Sequence, residues 1–227
     1  MKIQILLKKT SEWLNGKGPE ADLVISSRVR LARNVMGYKF PWKADKRDKK
    51  TICDKVQHSA AKTKALKEGS LFINMDEVDD LDRQFLVERH LISPELATSQ
   101  SGSAVIISKN EAVSIMINEE DHLRIQVMHA GLQLFEVWQT IDEMDSELQA
   151  ELNFAFTPKL GFLTVCPTNV GTGIRVSVML HLPALVYTKQ INKVLQATIK
   201  LGLAVRGLYG EGSEALGNLF QISSRGM

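Results

Sequence analysis

Apolar and polar residues follow two different periods along this chain, and each period predicts one kind of secondary structure. Alternation between apolar and polar residues, which is typical of a strand with one buried face, occurs within 22–33 and 175–182. Apolar residues spaced three or four apart, which is typical of a helix with one buried face, occur within 79–90, 132–152 and 185–201. The pattern therefore predicts a domain that contains both strands and helices.

Several shorter apolar runs add further strands to this picture. Two of them, 104–107 and 113–117, are separated by a turn at Lys109 and Asn110 and predict a β-hairpin. The other predicted strands are 71–75, 123–128, 162–165, 204–209 and 218–222. Because the strands fall into hairpin-like groups with helices between the groups, we predict an α+β fold with a mostly antiparallel sheet flanked by helices.

Glycines that end helices and a run of charged residues mark three further stretches of the chain. A short helix is expected near residues 11–14, before Gly16, and the predicted helix at 185–201 ends at Gly202, a favourable position for a helix stop. The charged stretch 43–67 is typical either of a solvated helix or of a mobile connection.

Composition restricts the classes of function. The 227 residues include 28 basic and 26 acidic residues, so the formal net charge of +2 gives no sign of a nucleic-acid binder. The two cysteines, Cys53 and Cys166, have no metal-ligand spacing, and we expect neither a zinc site nor a disulfide. No run reaches the roughly 20 apolar residues of a membrane span, and the N-terminus lacks a signal-peptide pattern. We expect a soluble cytoplasmic protein that binds neither nucleic acid nor membrane.

Arginines recur on one side of three predicted strands. Alternation places Arg28 and Arg30 on one face of the first strand, and Arg175 on one face of a later strand. It also places Arg124 on one face together with Glu120, His122 and Gln126. Guanidinium groups match phosphate oxygens in paired hydrogen bonds and stay charged at any working pH, so the repeated pattern indicates a polyphosphate site. Each arginine taken singly is better explained as a surface residue or a structural ion-pair partner, and only the repeated pattern favours a phosphate site.

Carboxylates and one cysteine are candidates for the chemistry at such a site. Glu119, Glu120 and Asp121 form an acidic run that is either a solvated turn or a site for a cationic acceptor and its proton. Glu211 lies among glycines, which allow a loop to close over a substrate. Cys166 lies near an arginine-bearing strand, where a thiolate would be stabilised, although a buried inert cysteine is the usual interpretation.

The motifs of the common kinases are absent, and those of another family are present. The chain contains neither the GxxxxGK[ST] phosphate loop nor the HRD and DFG motifs of protein kinases. It resembles instead the phosphagen (ATP:guanidino) kinases over residues 22–223. The resemblance therefore implies a catalytic domain at 22–223, preceded by a helical lead-in at 1–21 and followed by an unmatched tail at 224–227. Four motifs in the family's order carry this resemblance: Ser26 to Arg30, Asn118 to Arg124, Cys166 to Thr172, and Arg206-Gly207 with Gly210-Glu211.

Within that family the sequence is most similar to the bacterial branch that phosphorylates arginine side chains of proteins. Arginine and creatine kinases carry a helical domain of roughly a hundred residues before the first arginine strand. Here that strand begins close to the N-terminus, and residues 90–94 and 209–213 also resemble the bacterial branch. The resemblance implies protein substrates with exposed arginines, and it implies the family fold, an antiparallel sheet flanked by helices.

The resemblance also implies a role for each matching residue. Glu120 would bind the acceptor guanidinium and take its proton, Glu211 would assist from a mobile loop, and Cys166 would lie near the acceptor. The reaction would transfer the γ-phosphoryl group of ATP, with Mg²⁺ bridging the phosphates and no dedicated protein metal site. The implied nucleotide site comprises Ser26, Ser27, Arg28, Val29, Arg30, His90, Arg124, Arg175, Val176, Ser177, Val178, Met179, Arg206, Gly207, Leu208, Tyr209, Gly210 and Glu211.

The family continues beyond the strand that matches 218–222, whereas the matching part of this sequence stops there. We therefore expect a catalytic domain that is incomplete at its C-terminus and that lacks the homodimer contacts of the bacterial branch. Two alternatives to a kinase that acts on proteins stay open. One is a kinase for a small guanidino compound such as free arginine, and the other is a truncated, non-catalytic fragment that binds nucleotide.

Overall fold

The structure, a computed structural model, describes residues 6, 10–99, 101–207 and 216–224. Its strands are β1 (Val24–Arg33), β2 (Leu71–Asn74), β3 (Ala104–Ile107), β4 (Val113–Ile117), β5 (Leu123–Ala130), β6 (Phe156–Thr157), β7 (Gly161–Phe162), β8 (Ile174–His181), β9 (Ala204–Arg206) and β10 (Leu219–Ser223). Its α-helices are α1 (Lys46–Ala60), α2 (Asp80–Glu88), α3 (Pro94–Ala97), α4 (Leu134–Glu151), α5 (Pro183–Tyr187) and α6 (Ile191–Lys200).

Eight of these strands form one sheet in the order β2-β3-β4-β5-β1-β8-β10-β9. Every neighbouring pair in that order is antiparallel. The remaining strands, β6 and β7, form a separate two-stranded ribbon. This arrangement confirms the predicted α+β fold with an antiparallel sheet and flanking helices, and it places β1, the strand with two of the predicted site arginines, in the middle of the sheet.

The main core lies between one face of the sheet and helices α1 and α4. Val29 and Leu31 of β1 point into it, as alternation predicts, and Val29 is completely buried. Helix α4 contributes a buried stripe at the expected helical spacing, consisting of Val137, Ile141, Met144 and Leu148. Each fully buried aliphatic side chain of this kind contributes about 1.5–3 kcal/mol relative to an exposed one, so this core holds β1 firmly while its opposite face remains available for polar residues.

A second, smaller core lies at the β2–β3 edge of the sheet. It joins α2, α3 and the segment between them to β3 and β4, through Leu86, Leu91, Leu96, Ile107 and Met116. Helix α3 is short but well defined at its start, because Ser93 accepts a hydrogen bond from the backbone N–H of Leu96 at 3.0 Å and Pro94 occupies the first turn. This core positions the segment around His90, which the resemblance assigns to the nucleotide site.

The prediction of one continuous helix over 185–201 was wrong, because the structure has two helices, α5 and α6, in that stretch. Lys189 between them has φ of 59°, in the left-handed region, which a right-handed helix does not pass through. The backbone N–H of Gln190 donates to the carbonyl of Leu185 at 2.9 Å, a closing bond that ends α5 as in a Schellman motif. The apolar periodicity continues through this cap, so periodicity alone does not reveal it.

Smaller differences occur in two other stretches. Within residues 10–21 the helical part is a single 3₁₀ turn, Glu12–Leu14. The strand predicted at 162–165 is shorter than expected, since only Phe162 of that range lies in a strand, β7. The charged stretch 43–67 forms helix α1 and the turns after it. Among the residues that the structure describes, no helix is both long enough and apolar enough to cross a membrane.

Candidate active site

The antiparallel register around β1 brings the predicted arginines together. Arg30 lies opposite Gln126 on β5 and opposite Arg175 on β8. Directly opposed residues in antiparallel strands project from the same face of the sheet, so these three side chains share the face away from the main core. Arg28 lies one row along the same face, opposite Ser177.

These side chains line a cavity of about 310 Å³. Five arginines reach it from β1, β5, β8 and β9, and they are the five that the sequence analysis selected: Arg28, Arg30, Arg124, Arg175 and Arg206. Two carboxylates, Glu95 and Glu120, also line the cavity, together with His90, Gln126, Gln221, Cys166, Thr168 and Asn169. The cavity therefore combines a strongly cationic floor with a smaller acidic part.

Crowding of the arginines disfavours their charges in the absence of an anion. Burial, followed by repulsion from Arg124, Arg175 and Arg206, lowers the pKa of Arg28 to about 10. Burial, followed by repulsion from Arg28, Arg124 and Arg175, lowers the pKa of Arg30 well below its ordinary value. A polyanion that entered the cavity would relieve this repulsion and accept paired hydrogen bonds from the guanidinium groups.

Neutral partners orient one of these arginines. Arg28 donates from Nη2 to Oε1 of Gln221 at 2.8 Å, and from Nε to Oγ of Ser177 at 3.4 Å. The sequence analysis did not select Gln221, although polar Gln221 and Ser223 alternate with apolar Phe220 and Ile222 along β10. Its role depends on a register between strands that are far apart in sequence.

The acidic run 119–121 lies in the tight turn between β4 and β5, and the turn gives its members different environments. Asn118 has φ of 56°, a left-handed conformation that asparagine tolerates well, and its side-chain amide donates to the carbonyls of Lys49 and Gly102. Glu119 turns inward, accepts a hydrogen bond from Ser93 and pairs with Arg124 at 2.5 Å. Only Glu120 is exposed, and it lines the cavity.

The environment of Glu120 suits a proton acceptor. Partial burial, followed by repulsion from Asp121, raises the pKa of Glu120 above its ordinary value, while Arg124 opposes that shift. A carboxylate with a raised pKa is a stronger base once it is ionised. Glu120 therefore combines access to the cavity with an increased affinity for a proton.

Asp121 has a structural role at the same turn. It is almost completely buried, and its Oδ1 accepts hydrogen bonds from Nδ2 of Asn34 at 2.6 Å and from the backbone N–H of Val165 at 2.8 Å. Val165 immediately precedes Cys166, so this contact joins the acidic turn to the cysteine segment. The thiol of Cys166 lies 3.0 Å from Oγ1 of Thr168, at the wall of the cavity.

The side chain of His122 is not part of the cavity. Its Nδ1 accepts a hydrogen bond from the backbone N–H of Val35 at 3.0 Å, and its Nε2 lies 2.9 Å from the carbonyl of Lys39. Alternation predicted that it shares a face with Arg124 and Gln126, and this was wrong. The cause is that β5 begins only at Leu123, so residue 122 belongs to the turn, where the strand period does not apply.

The other residues of the implied nucleotide site divide into three groups. Ser26, Ser177 and Met179 line a narrow space of about 10 Å³ that adjoins the cavity and shares Arg28 and His90 with it. Four side chains point elsewhere. Val29 belongs to the main core, Val176 is partly buried against it, and Val178 shares the face of Val176. Ser27 donates to the carbonyl of Gly131 at 2.8 Å. Gly207 follows β9, whereas Leu208, Tyr209, Gly210 and Glu211 lie outside the described residues.

The described residues contain no group of three or more histidine, cysteine, aspartate or glutamate side chains placed to hold a metal ion. The buried carboxylates already have other partners. Asp145 pairs with Arg33 at 2.8 Å, and Glu111 pairs with Arg89 at 2.8 Å. A divalent cation at this site would therefore depend on oxygen ligands from a bound substrate, as Mg²⁺ commonly does.

Known proteins match both the sequence and the fold. The model of the ATP:guanido phosphotransferase C-terminal catalytic domain matches residues 51–226. Protein-arginine kinase from Halothermothrix orenii is 51% identical over 221 residues, which is 97% of this chain and 63% of that protein. Protein-arginine kinase from Desulforamulus reducens is 52% identical over 218 residues, which is 95% of this chain and 61% of that protein. The chain thus spans somewhat less than two thirds of the length of these curated relatives.

Solved structures agree with these matches. The duplicated taurocyamine kinase from Schistosoma mansoni with bound transition state analog components superposes with a TM-score of 0.78 at 28% identity, over 96% of this chain and 33% of that one. Lombricine kinase shares the fold, with a TM-score of 0.75 at 20% identity, over 95% of this chain and 64% of that one. Because the family model covers most of the sequence and the relatives are about half identical, the chain belongs to the ATP:guanido phosphotransferase family.

Proposed function

We propose that this chain transfers the γ-phosphoryl group of ATP to the guanidinium group of arginine side chains in proteins. The observation that carries the proposal is the composition of one cavity. Five arginines from four strands form its floor, and Glu120 supplies an exposed carboxylate with a raised pKa at the same cavity. This combination suits a polyphosphate donor on one side and a cationic acceptor on the other.

The arginine floor supports the donor half of the proposal. Phosphoryl transfer depends mainly on positioning and on stabilising charge that spreads over the phosphoryl oxygens. Arg28 and Arg30 are partly buried and lie on β1, a central strand that is paired on both sides, so their guanidinium groups are placed before substrate arrives. Mg²⁺ bound to the phosphates would neutralise further charge, and its protein ligands in the described residues would be few.

Glu120 supports the acceptor half. A carboxylate binds a guanidinium through paired hydrogen bonds, which orients one nitrogen toward the γ-phosphorus. As that nitrogen forms its bond to phosphorus, the bond between phosphorus and the β–γ bridging oxygen breaks, and ADP leaves with the electron pair. The proton lost by the attacking nitrogen passes to Glu120, so the products are ADP, N-phosphoarginine and a protonated carboxyl group that returns its proton to water.

The names of the most similar relatives support a protein as the phosphoryl acceptor. Sequences that are 51% and 52% identical to this chain are named protein-arginine kinases. A small guanidino compound is the second candidate acceptor, because the taurocyamine kinase structure superposes on this chain at 28% identity. We also propose a reducing cytoplasmic setting, since Cys53 and Cys166 are both unpaired.

The test compares acceptors directly. The purified chain would be incubated with ATP, Mg²⁺ and an unfolded arginine-rich protein, and acid-labile phosphoarginine would be sought by mass spectrometry. A parallel reaction would offer free arginine at the same guanidinium concentration. Phosphorylation of the protein supports the proposal. Phosphorylation of free arginine alone would show a small-molecule kinase, and transfer to neither acceptor would contradict catalysis by this chain.

A further inference from the structure

We propose that Trp13, which lines the narrow space beside the cavity, is a positioning residue for His90, so that the segment before the first strand controls nucleotide affinity. This inference rests on the proposed function, because it assumes that the cavity beside His90 accepts a nucleotide. Trp13 lies well before residue 51, where the match to the family model begins. Its role follows from contacts in this structure.

Trp13 contacts two consecutive residues of the segment that follows α2. Its ring meets the ring of His90 edge to face, with centroids 5.0 Å apart and planes at 78°. Its indole Nε1 also donates to the backbone carbonyl of Arg89 at 3.3 Å. One side chain thus fixes both the backbone that leads into His90 and the plane of its imidazole.

A second contact ties the same segments together. Ser11 donates from Oγ to Oε2 of Glu111 at 2.8 Å, and Glu111 in turn pairs with Arg89 through Nε at 2.9 Å and Nη2 at 2.8 Å. Glu111 is almost completely buried. A buried carboxylate shared in this way couples the N-terminal segment to Arg89 strongly, since losing one partner would leave the charge poorly compensated.

The N-terminal segment is itself held in a fixed place. A Cβ atom on Gly18 would lie 2.0 Å from the carbonyl oxygen of Ala130, so the segment approaches the end of β5 as closely as only glycine allows. The backbone N–H of Leu132 donates to the carbonyl of Pro19 at 2.7 Å. Trp13 therefore belongs to a segment that is held by close packing against the end of β5.

His90 needs such support because its backbone is strained. Its φ of 55° lies in the left-handed region, which costs a residue other than glycine about 1–3 kcal/mol and persists only where surrounding contacts enforce it. Gln126, on the floor of the cavity, donates from Nε2 to the carbonyl of His90 at 2.7 Å. Trp13 contacts the ring of His90 and Gln126 holds its carbonyl, and His90 lines the cavity together with Arg28.

The alternative is that Trp13 only packs and stabilises the fold. The two roles differ in what a substitution changes. A packing residue affects stability and leaves the substrate constants of the folded protein alone. A positioning residue for His90 raises the KM for ATP while kcat and the KM for the acceptor stay nearly constant, because Glu120 and Cys166 lie on other segments.

The test measures ADP affinity by calorimetry and steady-state constants for wild type, Trp13→Ala, Trp13→Phe and Trp138→Ala. Trp138, partly exposed on α4, is the matched control and should change nothing. We expect Trp13→Ala to weaken ADP binding and raise the KM for ATP about tenfold, which corresponds to about 1.4 kcal/mol. Trp13→Phe, which keeps an aromatic edge but loses the indole donor, should weaken binding about threefold.

Two results separate this inference from the proposed function. If wild type binds no ADP, the proposed function itself fails. If wild type binds ADP and folded Trp13→Ala binds it equally well, only the role of Trp13 is refuted. The chain has three tryptophans, so replacing Trp42 and Trp138 by phenylalanine leaves Trp13 as the sole emitter in an otherwise intact site. Its emission should change when ADP saturates the protein, and unchanged emission would contradict the inference even if Trp13→Ala does not fold.

Discussion

Asp121 accepts a hydrogen bond from the backbone N–H of Val165 at 2.8 Å, and this contact joins the two segments of the proposed acceptor side of the cavity. One segment carries Glu120 and the other carries Cys166. The same carboxylate oxygen also accepts from Asn34 at 2.6 Å, so it is saturated and buried. The acceptor side is thus assembled by a residue that does not itself line the cavity.

Replacing Asp121 should therefore separate acceptor positioning from nucleotide binding. Asp121→Ala leaves the backbone N–H of Val165 without its acceptor, while Asn34 keeps only its second acceptor, the carbonyl of Leu163 at 3.0 Å, and the loss should cost about 2 kcal/mol of unfolding free energy. In the folded protein it should raise the KM for the acceptor and leave ADP affinity unchanged. Urea denaturation and calorimetry provide the two measurements. Asp121→Asn keeps an acceptor oxygen and should lie between wild type and alanine; a weakened ADP affinity in both variants would contradict this assignment.

Removing one arginine from the floor of the cavity should stabilise the nucleotide-free protein and weaken its binding of ATP. Arg30→Gln removes one of several mutually repelling charges, so the nucleotide-free protein should melt at a higher temperature, by about 1 kcal/mol in unfolding free energy. The same change should reduce the stabilisation that ATP provides. Thermal melts with and without ATP test both effects.

Arg47→Gln, on the exposed face of α1, changes the net charge equally and serves as the control. It should alter neither quantity. If Arg30→Gln destabilises the nucleotide-free protein as much as an ordinary core substitution, the arginine is structural and the polyphosphate floor is wrongly assigned.

His90 predicts a specific loss of stability in mild acid. Burial, with a smaller effect of Arg28, lowers its pKa to about 4 from an unfolded value of 6.5. The unfolded state therefore binds more protons between these values, and stability falls as the pH decreases through that window. Between about pH 7.5 and about pH 5.0, this histidine should cost about 2 kcal/mol.

The comparison variant is His90→Asn, because asparagine tolerates the left-handed backbone at this position. Its unfolding free energy, measured in urea at both pH values, should fall by about 2 kcal/mol less than that of wild type. Equal acid sensitivity of the two proteins would show that His90 is not held neutral by its surroundings.

Arg33 shows that not every arginine of β1 belongs to the site. It is buried against Asp145 of α4, with Nη2 and Oδ2 2.8 Å apart, and its guanidinium lies 3.6 Å from the centre of the Phe162 ring. Asp145→Ala leaves an uncompensated buried charge and should cost about 3–5 kcal/mol of unfolding free energy.

The matched control is Glu143→Ala, also on α4, whose partner Lys64 is exposed. It should change stability by less than about 1 kcal/mol. Both variants should keep wild-type affinity for ADP under conditions in which they are folded. Chemical denaturation measures both losses of unfolding free energy. Similar losses for the two variants would refute the claim that the buried pair matters more to stability than the exposed pair.

The central sheet and the arginine side of the site were predictable because regular strands obey a simple rule. Alternation along 22–33 and 175–182 predicted that Arg28 and Arg30, and separately Arg175, lie on the face of their strand away from the apolar side chains. The periodicity of 132–152 likewise predicted α4, which fills the opposite face. Where a strand or helix is regular and buries only one face, the pattern of apolar and polar residues indicates the direction of each side chain.

The turn at 118–122 was not predictable in the same way. Glu119 and Glu120 are identical in type and adjacent, yet one is paired inside and the other lines the cavity, because the left-handed backbone at Asn118 sets the path of the turn. The roles of Gln221 and Trp13 depend on contacts between distant segments. Such contacts follow from register and close packing, which local patterns do not encode.

The most direct test of the central claim compares phosphoryl transfer with nucleotide binding in the variant Glu120→Gln. The variant keeps the size of the side chain but removes the base, and the arginine floor is untouched. We predict that ADP affinity, measured by calorimetry, stays within about twofold of wild type, while phosphoarginine formation from ATP on an arginine-rich protein falls at least about 1,000-fold. Undiminished phosphoarginine formation by Glu120→Gln would contradict the account, because the acceptor proton would then have another destination.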